Sequence, residues 1–276
     1  MEQASIDLSP FKLPLKGGVI LVISLLLIGW LFNTPTGLLG KTDAIGYAVC
    51  HRIEARSFQL HGRPLPLCAR CTGMYLGAVL GIVFQWAIGR RRSGLPSLPV
   101  CIGLSFFVLA FGIDGINSYL HLSMMQELLP GIPRLYEPSN TLRLFTGTGM
   151  GLVIAAALTP VFNQTVWAKG NPRPLLSWQS ALALVLLAVC VDLLVLTEHV
   201  LVLYPAAIAS SFGVLLILTM VYSMVWIMLR RHDNRYDNLR QLALPLWIGF
   251  GVALLQIATL DSARYWLTGT WAGFSF

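Results

Sequence analysis

The chain has 276 residues, of which 56% are apolar and only 11% are charged, with a mean hydropathy of +0.71. A soluble domain needs about a quarter charged residues to cover its surface, so that class is excluded. The net charge of +7 lies in short connections between apolar runs, where it reports topology rather than a nucleic-acid partner.

Runs of about 20 apolar residues cross a bilayer as helices. In chain order they fall at 17–32, 72–88, 98–119, 142–162, 175–197, 203–229 and 242–259. The first follows Lys12 and Lys16, as a signal peptide would. It leads into Asn33-Thr34-Pro35-Thr36 rather than a small-residue cleavage site, and is read as a retained helix. Strand alternation of the outer-membrane barrel kind is absent. The expectation is an all-α integral membrane protein of about seven spans, forming one polytopic domain over 1–276.

Between the first two spans lies CHRIEARSFQLHGRPLPLCARCTG, residues 50–73. It holds Cys50, Cys68 and Cys71 with His51 and His61. A C-x-x-C turn aims two sulfurs at one centre, and a tetrahedral Cys3His site then takes Cys50 and one of the two histidines. Such a donor set suits zinc best, with iron or copper as alternatives. The same residues admit a redox dithiol, because Cys68 and Cys71 open a helix whose dipole favours thiolate and Arg70 lies between them. They also admit an inert disulfide that pins the loop. Cys101 and Cys190, alone in apolar runs, read as packing residues.

Lys and Arg on alternate sides number eleven against eight, the larger set holding Arg90-Arg91-Arg92 and the Arg230–Arg240 cluster. This puts the N-terminus in the cytoplasm and the cysteine loop outside. The loop then carries basic residues against the topological bias, which suggests local work such as holding an anion or acidifying a thiol.

The blocks CHRIEARSF and PLPLCARCTGMYLG, continued in FGIDGINSYL and SNTLRLFTGTGMG, resemble the signature of a family of small prokaryotic membrane proteins without established activity. The resemblance covers roughly residues 45–155, with three further helices in 163–276. It implies a shared site in these blocks and the cytoplasmic (inner) membrane of a prokaryote as location, without naming a reaction.

Ionisable groups inside spans are costly and default to functional candidates. Asp114, Asn117 and His121 share one helical face, as do Asn140, Arg143 and Thr146. Asp192, His199, Asp261 and Arg264 close their helices on the same side of the membrane. Two Asp-x6-His pairs, Asp114 with His121 and Asp192 with His199, suggest a second metal centre or proton relay. The plainer reading is ion pairing of Asp114 with Arg143 and of Asp261 with Arg264. The glycines of TGTGMG lie inside an apolar run, so Gly147 and Gly151, like Gly73, Gly77 and Gly81, mark close helix packing rather than a phosphate loop.

These features predict a membrane metalloprotein in which Arg56, Arg70 and Arg143, with Asp114 and Asn117, handle an anionic lipid-like substrate. A dithiol oxidoreductase coupled to quinone or a periplasmic partner is the second expectation. A non-enzymatic subunit of a membrane complex is the third, its TGTWAGFSF tail docking a partner or resting at the interface.

Overall fold

The computed structural model describes residues 12–128 and 131–273. Nine α-helices are assigned among them: α1 (Lys12–Asn33), α2 (Gly37–Val49), α3 (Ala69–Gly89), α4 (Leu98–Leu120), α5 (Ser123–Leu128), α6 (Asn140–Val166), α7 (Trp178–Val195), α8 (Val200–Leu229) and α9 (Leu239–Thr268). Seven of these, all but α2 and α5, are long and apolar enough to cross a membrane. The expected spans are therefore present, most of them extended by a few residues where a polar cap takes over. Ser139 accepts the Leu142 amide at 3.2 Å, and Asn238 accepts the Gln241 amide at 3.0 Å. Gly269, at φ +67°, ends α9 in the left-handed conformation.

The centre of the bundle is the pair α3 and α6, packed backbone against backbone. A Cβ at Gly147 would lie 2.1 Å from the Arg70 carbonyl oxygen, and one at Gly151 2.1 Å from that of Met74. From the other side, Gly73 faces Leu144 and Gly77 faces Thr148 with the same closeness. The two glycine ladders expected to pack closely thus pack on each other, since a side chain on either would separate the helices. Around this pair, α4 and α7 expose Phe106, Leu109, Ile116, Leu186 and Leu193 outward, as helices solvated by lipid do. Cys101 and Cys190 lie exposed on those same helices, so they do not pack the core as expected.

At one end the basic connections gather. Asn171 N donates to Arg91 O at 2.9 Å, Ala168 N to Tyr236 O at 3.1 Å, and Arg91 Nη2 to Asp237 O at 2.5 Å. The cysteine segment caps the opposite end, between α2 and α3. It is a folded unit rather than an open loop, made of a 3-10 turn (Glu54–Arg56) and a two-stranded hairpin, β1 (Gln59–Leu60) and β2 (Arg63–Pro64). The tail folds back beneath it: Trp271 packs against Tyr47 with ring centroids 5.0 Å apart and against Tyr265 at 5.5 Å. The tail's described part is therefore docked on its own chain, and its last three residues, Phe274, Ser275 and Phe276, lie outside the described residues.

Candidate metal centre

Local backbone rules bring three distant sulfurs together. Helix α2 stops at Cys50, whose backbone turns extended at φ −135°, ψ 148°. The chain leaves through Arg52 at φ +54°, then reverses at His61 and Gly62, both at positive φ. Leu65 N closes the hairpin on Phe58 O at 2.9 Å. The return segment passes so close to α2 that a Cβ at Gly46 would lie 2.0 Å from the Pro66 carbonyl oxygen. Cys68 is then the N-cap of α3 and Cys71 sits in its first turn, so the i, i+3 spacing puts both sulfurs on one side. The amide of Cys68 donates to the sulfur of Cys50 at 3.3 Å.

The three sulfurs all lie within 4.8 Å of one another, and none of the cysteines is in a disulfide. A tetrahedral zinc with Zn–S of about 2.3 Å sets its thiolates about 3.8 Å apart, a separation small rotamer changes reach from here. Charge is shared unevenly. Hydrogen bonds from Cys50 and Cys71 hold the Cys68 thiol well below the usual cysteine range, helped by Arg70. Its interaction with Cys68, then burial, pushes the Cys50 thiol up to about 12. The triad without a cation therefore carries one thiolate easily and three only at great cost.

The expected histidine ligand is not there. Among the described residues, the donor atoms within 4.8 Å of one another are the three sulfurs alone. His51 follows Cys50 in extended backbone, where successive side chains point opposite ways, and it is exposed. His61 is exposed at the hairpin tip. The basic residues of the segment largely hold it in shape. Arg52 pairs with Asp43 at 2.8 Å and donates to Trp271 O at 3.0 Å, while Arg63 pairs with the other oxygen of Asp43. From α9, Arg264 Nη1 donates to the carbonyls of Tyr47 and Cys50 at 2.6 and 2.7 Å.

Next to the sulfurs lies a cluster of arginines. Asp114 pairs with Arg70 rather than with Arg143 as expected, because Arg70, two residues past Cys68, reaches α4 first. Asp114 also accepts from Tyr136 Oη at 3.0 Å and Thr146 Oγ1 at 3.2 Å, so protein donors take up both of its oxygens. Ser118 joins two of the arginines, its carbonyl taking Arg56 Nη2 and its hydroxyl Arg70 Nη2, each at 2.9 Å. Asn140 accepts from Arg143 Nη1 at 2.9 Å and donates to Ala55 O at 3.4 Å. Arg143 is buried, and its Nε has no hydrogen-bond partner among the described residues. Burial and the charge of Arg70 lower the Arg56 guanidinium from its ordinary value. Three guanidiniums thus face one carboxylate. Tyr136, in the connection before α6, carried no sequence signal that could have found it.

Other candidates are local. Asn117 Nδ2 donates to Tyr136 O at 2.8 Å, its Oδ1 accepts the Leu135 amide at 2.9 Å, and the His121 ring contacts Asn117 O at 2.8 Å. All three contacts fasten the end of α4. Asp192 accepts from Thr148 at 2.7 Å, on the face of α6 away from Thr146, and His199 caps α8 as an exposed acceptor for the Leu201 amide. Asp261 accepts from Trp30 Nε1 at 3.1 Å, while Arg264 serves the loop carbonyls. The described residues therefore assemble no second metal centre from the two Asp-x6-His pairs. The three buried carboxylates each have their own donors: Asp114 takes Arg70, Tyr136 and Thr146, Asp192 takes Thr148, and Asp261 takes Trp30.

Residues 50–157 match the family described as "Predicted membrane protein (DUF2085)". Over these residues, a little under two fifths of its length, the chain is similar to that family. The match runs from the first ligand candidate, Cys50, through most of α6, and so includes the triad and the arginine cluster while leaving out α7, α8 and α9. The chain is also similar to an uncharacterised protein of Methanocaldococcus jannaschii, 25% identical over 126 residues that make up 46% of this chain and 71% of the relative. An uncharacterised protein of Methanothermobacter thermautotrophicus is 29% identical over 118 residues, 43% of this chain and 90% of the relative. No solved structure matches the chain.

Proposed function

We propose that the protein is a membrane metalloprotein whose Cys50, Cys68 and Cys71 hold one thiophilic cation, zinc before iron or copper. The observation that carries this is the approach of the three sulfurs to within 4.8 Å at the N-terminus of α3. A cation there resolves the repulsion that keeps the triad from ionising, and three thiolates favour a soft ion. Among the described residues the three sulfurs stand as a group by themselves, and a fourth ligand such as water or substrate would complete the tetrahedron, as in zinc sites that do chemistry.

The neighbouring Arg56, Arg70 and Arg143 fit the anionic part of that substrate. Asp114 and Ser118 orient Arg70, and the spare Nε of Arg143 is a donor suited to a phosphate-like oxygen. The basic connections gathered at the opposite end support an orientation with that end in the cytoplasm and the cysteines at the outer face of an inner membrane. The test is elemental analysis with a thiol count on one non-chelated sample. About one metal per chain with the three thiols masked is the expected result. Metal-free protein in which these three thiols react as well as the exposed Cys101 and Cys190 would remove the reading.

One observation favours the dithiol alternative: Cys68, at a helix N-terminus beside Arg70, is held toward thiolate. In that case the same sample contains no metal, and reductant changes the thiol count by two.

A further inference from the structure

Away from the arginine cluster, a chamber of about 650 Å3 opens between α1 and α9 near the cysteine end. Its wall includes Trp30, Asn33, Asp261, Tyr265 and Trp271. Asp261 is only 3% exposed. Its Oδ2 accepts from the Trp30 indole, while its Oδ1 is buried with no hydrogen-bond partner among the described residues. A carboxylate with one oxygen served by a neutral donor and the other by none is expensive to keep in an apolar bundle. Interfacial anchoring explains tryptophans and tyrosines at this level, but it does not explain a buried carboxylate with an open acceptor among them.

We propose that this chamber binds an ammonium group, with Asp261 as its anionic contact and the rings of Trp30, Tyr265 and Trp271 as its walls. Tyr265 and Trp271 stand 5.5 Å apart, ring centroid to centroid, and aromatic faces beside a carboxylate are the usual surroundings of a bound ammonium. Trp30 lies in the last turn of α1 and Tyr265 in that of α9, so the chamber sits where a helix meets the headgroup layer. Either an ammonium-bearing lipid headgroup or a small soluble amine supplies the same chemistry. The proposal does not depend on a metal at the cysteines.

The test uses the full chain in detergent. Native mass spectrometry follows retention of phosphatidylethanolamine against phosphatidylglycerol of the same acyl chains, and calorimetry follows free ethanolamine. Preference for the ethanolamine lipid of about tenfold is expected if the source is a lipid, and saturable ethanolamine binding if it is a soluble amine. Asp261→Asn keeps the shape and the indole contact, and should abolish whichever signal is present. Trp271→Leu, which leaves the carboxylate in place, should weaken it, and Asp192→Asn should not change it. Absence of both signals in the wild-type chain, or a signal that survives both chamber variants, would overturn the proposal.

Discussion

The backbone amide of Cys68 points at the sulfur of Cys50, eighteen residues back in the chain and 3.3 Å away. That contact joins the end of α2 to the start of α3 and aims a helix N-terminus, with its partial positive charge, at the sulfur group. The contact favours charge on Cys50, while the thiolate that forms without a metal is that of Cys68, held by hydrogen bonds from Cys50 and Cys71.

The metal should depend on the three sulfurs and not on the hairpin histidine. Cys50→Ser and Cys68→Ser are each expected to drop bound metal from about one per chain to a small fraction of that, by mass spectrometry of purified protein. His61→Ala, altering an exposed residue at a hairpin tip, should leave the content unchanged.

In metal-free protein the thiols should react in a fixed order. Cys68 is held below the ordinary cysteine range, so it is thiolate at a pH where a free cysteine is still thiol; Cys50, raised to about 12, stays protonated through neutrality. With Cys101 and Cys190 replaced by alanine, iodoacetamide at neutral pH should label Cys68 first and Cys50 last. Raising the pH should speed Cys50 labelling long after that of Cys68 has levelled. Equal rates across neutral pH would contradict the charge distribution.

Arg70 and Asp114 should show the asymmetry of a buried pair. Removing the cation alone, by Arg70→Met, leaves a carboxylate that is 1% exposed without its partner and should cost about 3–5 kcal/mol. The double change Arg70→Met with Asp114→Leu should recover much of that loss while ending any anion binding. Thermal unfolding in detergent separates these outcomes. A single variant as stable as wild type would mean that Tyr136 and Thr146 suffice to hold the carboxylate.

Glycine to alanine should change sign with position. In a helix, alanine is favoured over glycine by about 1 kcal/mol, and Gly103, with nothing within 4 Å of its would-be Cβ, should follow that rule. Gly147→Ala and Gly151→Ala drive a methyl into carbonyl oxygens of α3 and should destabilise by about 2 kcal/mol or more. Melting temperatures of the three variants test this directly.

Much of the candidate site was legible before any fold. The C-x-x-C at the start of an apolar run marks the helix-end pair Cys68 and Cys71, and the lone Cys50 near them completes the sulfur set. The histidines misled because proximity in sequence does not give direction: an extended backbone turns His51 away, and a turn lifts His61 outward. Ion pairs misled for a related reason. Asp114 and Arg143 suggest each other when only the spans are counted, yet the tight contact of α3 with α6 brings Arg70 within reach of α4 first.

By itself the sequence determined the membrane class, the positions of the seven spans and the residue types available at one end of them, because lipid allows little but apolar helices and makes each ionisable group conspicuous. Only the tertiary structure decided which groups meet. Long-range partners such as Cys50 with Cys68, Asp261 with Trp30 and Arg264 with the loop carbonyls depend on helix rotation and on how closely glycines let helices approach, and periodicity along one chain encodes neither.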